Sequence, residues 1–197
     1  IESLLSGVVR QLYPNELLWY RRKFTLPESF DGKDVLLHFG AVDWQCEVFV
    51  NGESVGTHTG GYCPFSFDIT DRLVDGENEL VVKVYDPTDK GWQQRGKQVL
   101  KSKGFWYTAT SGIWQTVWLE PVAESHITSI KLTPDIDNET LNLICKGTAL
   151  DGCTIEAKVM DGETEVFSGE VDAVSDIPVP SAKLWSPESP FLYDLYI

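Results

Sequence analysis

Basic side chains are scarce in this chain: 16 lysines and arginines stand against 30 aspartates and glutamates, a formal net charge of −14 over 197 residues. A surface of that sign repels nucleic acid and anionic membranes, so neither is an expected partner. The acidity needs no reading beyond solubility. No apolar run approaches the roughly 18–20 residues needed to cross a bilayer. The four cysteines (Cys46, Cys63, Cys145, Cys153) lack metal-ligand spacing such as C-x-x-C. Cys145 and Cys153 flank an Asp151-Gly152 turn at unequal distances, which leaves open a disulfide or buried free thiols. There is no Gly-x-Ser-x-Gly, no glycine-rich phosphate loop and no His-x-x-x-His. The histidines His38, His58 and His126 lie in separate strands or strand ends and read as structural, so no metal and no cofactor is expected. Asn138-Glu139-Thr140 matches a glycosylation sequon, a match expected once by chance. A signal peptide is also lacking, and the chain opens at Ile1 without an initiator methionine, so the natural N-terminus is expected to be missing.

Helical periodicity is missing too. Strand signals recur instead at intervals of roughly 8–12 residues, which makes the chain all-β. Residues 17–26 alternate Leu18, Tyr20, Arg22, Phe24 and Leu26 against the other face and stop at Pro27. Residues 35–39 follow a Phe30-Asp31-Gly32 turn, and residues 47–50 run into Asn51-Gly52, a strong hairpin signal. Phe65, Phe67 and Ile69 share a face, and Asp75-Gly76-Glu77-Asn78 turns the chain into residues 79–85, with Leu80, Val82 and Val84 inward. After Glu120-Pro121 aromatics thin out and acids accumulate: residues 1–120 hold 16 acids and 12 bases, residues 121–197 hold 14 acids and 4 bases. The division is therefore expected at 1–121 and 122–197. Strands at 127–133, 140–147, 154–160 and 165–171 suggest a second sandwich of immunoglobulin type. Only 77 residues remain from Pro121 for a fold of about 100, and residues 192–197 read as a strand without a closing partner, so a fragment of a longer protein is expected.

The segment from residue 86 to residue 112 has little regular alternation, and loops of that length in a compact domain are usually functional or disordered. Its tryptophans argue against disorder. From Lys90 to Leu119 the chain holds five bases (Lys90, Arg95, Lys97, Lys101, Lys103), no acid, and four tryptophans (Trp92, Trp106, Trp114, Trp118) beside Phe105 and Tyr107. Flat aromatic faces beside directional donors suit a polyhydroxylated ligand, whose ring stacks while its hydroxyls take hydrogen bonds. Ile113, Gln115, Val117 and Leu119 alternate with Trp114, Thr116 and Trp118, so residues 113–119 read as a core strand covered on both faces. Trp106, Tyr107, Arg95, Lys97 and Gln98 are the candidate ligand-contacting residues, with loop structure as the competing role. Asp43 and Trp44 interrupt an apolar pattern and are expected at an exposed loop rim, a second candidate site. Asp86-Pro87-Thr88-Asp89 reads as turn chemistry.

With these segments in view, the chain resembles the N-terminal part of glycoside hydrolase family 2, the β-galactosidases, β-glucuronidases and β-mannosidases. The pieces that match are Leu18-Trp19-Tyr20-Arg21-Arg22-Lys23-Phe24, Val48-Phe49-Val50-Asn51-Gly52-Glu53-Ser54-Val55-Gly56, Gly60-Gly61-Tyr62, the stretch 65–70, Gly76-Glu77-Asn78-Glu79-Leu80, the stretch 112–119, and Leu184-Trp185-Ser186-Pro187-Glu188-Ser189-Pro190. The resemblance implies a jelly-roll β-sandwich that binds sugar, then an immunoglobulin-like β-sandwich, both outside a catalytic barrel that this chain does not contain. It further implies a retaining mechanism on two barrel carboxylates about 5 Å apart, leaving no catalytic residue here. The implied partners are a β-glycoside and the parent's own barrel. The family's β-galactosidases place an acid shortly before the Ser-Gly-Ile segment; this chain has none from Lys90 to Leu119, which turns the expectation from galactose toward an anionic sugar such as a uronic acid. Two rival readings remain: a free-standing carbohydrate-binding module, and a domain that serves as a homo-oligomer contact without a ligand.

Overall fold

The computed structural model describes residues 7–8 and 10–197, which fall into two compact units, Ile1–Val122 and Ala123–Ile197. In the first unit the strands are β1 (Leu18–Phe24), β2 (Asp34–Phe39), β3 (Val42–Asp43), β4 (Gln45–Val50), β5 (Glu53–Thr59), β6 (Phe65–Asp68), β7 (Asn78–Tyr85), β8 (Gln98–Val99), β9 (Tyr107–Thr108), β10 (Gly112–Ile113) and β11 (Val117–Val122). A four-stranded antiparallel sheet of order β1-β7-β4-β5 packs on a three-stranded sheet of order β11-β2-β6. Together they make the jelly-roll sandwich. Alternation decides which side chains enter: Val35, Leu37 and Phe39 of β2 meet Cys46, Val48 and Val50 of β4 and Val82 and Val84 of β7 in the core. The fully buried Phe39 ring stacks on Phe65 at 4.8 Å.

The turn signals act as their chemistry requires. Asn51 and Gly52 join β4 to β5 with φ of 52° and 86°, the double positive φ of a type I′ hairpin. The 75–78 turn is held by Asn78, whose Oδ1 accepts from Val74 N at 2.9 Å and from Asn51 Nδ2 at 2.7 Å, while its Nδ2 donates to Val74 O at 2.9 Å. Asn78 is 1% exposed, so Asn78→Ala strands these partners. We expect a loss of about 2 kcal/mol, read by urea denaturation of the first unit; a loss under about 0.5 kcal/mol would show the turn to be self-sufficient.

The stretch 113–119 is not one strand covered on both faces. It breaks at residues 114–116, between β10, which pairs with β3, and β11, which pairs with β2. Three residues there stand opposite two, Gly40 and Ala41, and Gly40 N–H donates to Thr116 O at 2.8 Å across the break. A Cβ on Gly40 would lie 2.7 Å from Gln115 Cβ, so glycine is required where the two bends meet. Trp114 and Trp118 are 42% and 44% exposed, which corrects their expected place in the core. Trp118 lies on the outer face of the β11-β2-β6 sheet, stacked on His38 at 4.8 Å. That histidine is structural: its Nδ1 is 2.6 Å from Ser66 Oγ and its Nε2 is 2.8 Å from the Glu120 carboxylate.

The second unit is an immunoglobulin-like sandwich of β12 (His126–Asp135), β13 (Thr140–Thr148), β14 (Ile155–Asp161), β15 (Thr164–Val171), β16 (Val174–Pro178) and β17 (Asp194–Tyr196). Its sheets run β12-β13-β16 and β15-β14-β17, closing on Leu143, Cys145, Ala157, Val159, Ile177 and Val179. Strand β16 goes unread in the sequence because Ile177 is its single buried residue, between Asp176 and Pro178. All four cysteines are free; Cys46 and Cys145 are buried, and Cys63 and Cys153 are exposed.

Candidate functional site

The long 86–112 segment folds back on itself through β8 and β9, which pair in parallel, Gln98 with Tyr107 and Val99 with Thr108. Tyr107 N–H donates to Lys97 O at 2.9 Å, and Gln98 N–H to Arg95 O at 3.1 Å. The Gln98 side chain fastens the same fold, its Oε1 accepting from Thr110 N at 2.6 Å and Thr110 Oγ1 at 2.7 Å. This pairing presents an exposed surface of Phe105, Tyr107 and Lys97, the lysine ammonium lying 6.0 Å from each ring centre. Trp106 is half-buried, 4.9 Å from the Phe105 ring, and Arg95 is half-buried as well. Five of the candidates (Arg95, Lys97, Gln98, Trp106 and Tyr107) thus belong to one small structure.

Asp43 and Trp44 sit differently from expectation. Asp43 is 6% exposed and not at a rim: it lies in β3, paired with Gly112 of β10, with Gly61 packed against its carboxylate so closely that a Cβ there would be 2.5 Å from Oδ1. Only Trp44 reaches outward. It is half-buried, and its ring meets the ring of Trp92 edge-on at 6.0 Å. Trp92 itself is 90% exposed. Trp114 joins the neighbouring loop, its Nε1–H donating to Gly61 O at 2.8 Å and its ring edge-on to Tyr62.

Behind these aromatic residues lies a carboxylate that turn chemistry alone does not explain. Asp86 is 2% exposed; its Oδ1 accepts from Thr88 N at 2.8 Å and its Oδ2 from Ser111 Oγ at 2.5 Å. Thr88 O in turn accepts from Gln93 Nε2 at 2.6 Å, and Gln93 is buried. Asp86 does begin a turn, but it also continues the inward parity of Val82 and Val84 along β7. A carboxylate on a core-facing position of a strand was the sequence signal for it. Burial, opposed by the Ser111 and Thr88 hydrogen bonds, raises its pKa above the usual carboxylate range. Burial and then the negative charge of Asp86 push Asp43 up to about 7, with the Gln98 side chain pulling the other way. Tyr62 is raised by burial first and by Asp43 second.

Chemically, the site offers exposed aromatic faces, amides and a cation at the surface, over a buried acidic pair. Aromatic faces beside donors are the chemistry that suits a polyhydroxylated ring. Among the described residues no group of three or more histidines, cysteines and acids is placed to hold a metal ion.

Comparison with known proteins agrees with both units. Residues 7–122 match the model of the sugar-binding domain of glycosyl hydrolases family 2, and residues 125–197 match a second model described as glycosyl hydrolases family 2. A β-galactosidase of Thermoanaerobacter pseudethanolicus is 31% identical over 194 residues, covering 91% of this chain and 25% of that protein. A putative β-glucuronidase of Formosa agariphila is 27% identical over 195 residues, with 91% and 22% covered. Among solved structures, a Faecalibacterium prausnitzii β-glucuronidase superposes with a TM-score of 0.76 at 26% identity, over 95% of this chain and 36% of that one. The chain therefore spans about a quarter of the length of the curated relatives it matches. Its two sandwiches, in this order and each with its own matching model, make it a member of glycoside hydrolase family 2.

Proposed function

We propose that this chain supplies the non-catalytic N-terminal modules, 1–121 and 122–197, of a retaining β-glycosidase whose two catalytic carboxylates lie in a barrel elsewhere in the parent. The first module shapes the rim of the active-site pocket, with Trp106, Tyr107, Arg95, Lys97, Gln98 and Trp44 toward substrate and Asp43 beneath them. The observation that carries this reading is the Lys97–Phe105–Tyr107 surface, an exposed cation between two exposed rings on a sugar-binding domain. Such a surface can stack a sugar ring and attract a carboxylate on it. The glycosidase names of the relatives, and the quarter of their length that the chain spans, favour a module of an enzyme over a free-standing lectin. The lysine favours a uronic acid as the sugar, as does the absence of any acid from Lys90 to Leu119.

The test is kinetic. In the full-length parent, Arg95→Ala and Trp106→Ala should each lower kcat/KM by about tenfold, and Lys97→Ala should lower it more on a glucuronide than on the matching galactoside. If every substrate stayed within about twofold of wild type, the rim reading would be abandoned. The 197-residue chain alone should turn over no nitrophenyl glycoside.

A further inference from the structure

Asp43, in β3, and Asp86, just after β7, meet across one segment: Asp43 pairs with Gly112, and the residue before it, Ser111, donates to Asp86 Oδ2 at 2.5 Å, so the two acids close a circuit. From Asp86 the path runs through its hydrogen bond to Thr88 N (2.8 Å), through Thr88 O to the Gln93 amide (2.6 Å), and along the backbone to Trp92. It then crosses the edge-on contact of 6.0 Å to Trp44 and returns along the backbone to Asp43. Every link but one is attractive or covalent. The exception is the last, between two carboxyl groups that are 6% and 2% exposed.

The two acids are not equally provided for. Asp86 accepts from Thr88 and Ser111, which favours its charged form. Asp43 Oδ1 is buried without a hydrogen-bond partner. Asp43, with Gln98 as its one opposing amide and Oδ1 unpartnered, keeps the proton, and Asp86, with two donors, gives it up, so the pair carries one negative charge until Asp43 ionises. The second charge then has nowhere to be neutralised. Among the described residues no lysine, arginine or histidine forms an ion pair with either acid; the groups facing them are the Gln98 amide, Tyr62, Thr88 and Ser111. Two other titratable groups lie nearby, Asp89 in the 86–112 segment and His58 in β5. Asp89 accepts from Leu100 N at 3.3 Å and lies 3.7 Å from Lys90 Nζ, and His58 Nε2 is 3.2 Å from Gly60 O, one residue before the glycine packed on Asp43.

We propose that Asp43 and Asp86 are positioning residues that work as a proton-held clasp: with one proton between them they keep the Trp44–Trp92 rim assembled, and with both ionised they push it apart. Neither acid touches substrate. The pair acts through the tryptophans, so a rim organised at mildly acidic pH loosens on the alkaline side. Asp43, raised to about 7, puts that change within the neutral range. The clasp is a property of this chain by itself; only its consequence for sugar selection rests on the proposed pocket-rim role.

The experiment uses the 197-residue chain, without sugar or barrel. With tryptophan indoles labelled by 15N, and the Trp44 and Trp92 signals assigned by W44F and W92F, both signals should titrate together with a midpoint near pH 7, while Trp19 on the β1-β7-β4-β5 sheet stays still. Asp43→Asn should abolish the titration of both signals, and Asp86→Asn, which keeps an acceptor oxygen for Thr88, should abolish it as well. A titration unchanged in both variants would overturn the clasp. So would its loss in His58→Gln alone, or flat signals in the wild type from pH 5.5 to 8.5. Should Asp43→Asn fail to fold, Asp86→Asn and His58→Gln carry the same decision.

Discussion

Replacing Gly112 by alanine should cost the first unit about 3–5 kcal/mol, the largest effect expected of any single methyl in this chain. Gly112 has a φ of 85°, where a side chain adds backbone strain of about 1–2 kcal/mol. It is also walled in: a Cβ there would lie 2.1 Å from Tyr20 Oη and 2.8 Å from Leu18 Cδ2. Tyr20 cannot simply move, because its Oη accepts from Ile113 N at 3.1 Å and its ring packs on the core. The double variant separates the two causes. Tyr20→Phe removes the hydroxyl and should by itself cost about 1 kcal/mol for the lost hydrogen bond. In that background Gly112→Ala should cost clearly less, leaving mainly the backbone strain and the Leu18 contact. Tryptophan fluorescence in urea reads the result on the right unit, since six of the seven tryptophans (all but Trp185) lie in the first. Full additivity of the two substitutions would show that the hydroxyl is not what excludes the methyl.

Asp43→Asn should do the opposite above neutral pH and stabilise the first unit. A carboxyl whose folded-state pKa stands at about 7 against an ordinary 3.8 keeps its proton in the folded chain after the unfolded chain has lost it. The folded state then binds more protons, so wild-type stability falls as pH rises between those values and levels off above about 7. The ceiling on that loss is about 4 kcal/mol, and relaxation around the buried charge should leave about 3 kcal/mol. Asparagine has no such proton to lose. Its advantage over wild type should be absent near pH 4, grow through pH 5 and 6, and be complete by pH 8. Glu47 and Asp135, both held below the usual carboxylate range by hydrogen bonds, bias the curve the other way but cancel between wild type and variant. Urea midpoints that coincide at pH 8 would mean that Asp43 ionises at no cost.

Much of the fold was legible because one rule, alternation, governs most of these strands. Val35, Leu37 and Phe39 are inward both in the pattern and in the structure, and Asn51-Gly52 makes the hairpin its φ values demand. Alternation failed where a residue's size hid its surroundings. Trp118 shares a strand with Leu119, yet its ring lies on the outer face over His38, a placement that large amphipathic rings tolerate and hydrophobicity alone does not reveal. The site was legible in composition more than in arrangement. The basic, aromatic stretch around Lys97, Phe105 and Tyr107 was visible as a string of letters, and it does gather into one surface. The buried acids were harder, because the burial of Asp43 comes from Gly61 and from Gly112 of β10, two segments that only the fold brings to it. Asp86 reads as turn chemistry alone, although it stands where the parity of β7 calls for a hydrocarbon.

The corner between β10 and β11 has a consequence for how this chain can vary. Three residues, Trp114 to Thr116, answer two, Gly40 and Ala41, on the paired segment, and everything after them inherits its facing from that count. Deleting one would present Trp118 and Glu120 to the interior and turn Val117 and Leu119 to water. Substitution at Gln115 or Thr116, both exposed, meets no such barrier. This stretch is therefore locked in length and free in spelling, so insertions and deletions should be tolerated in the turns around it and not within it.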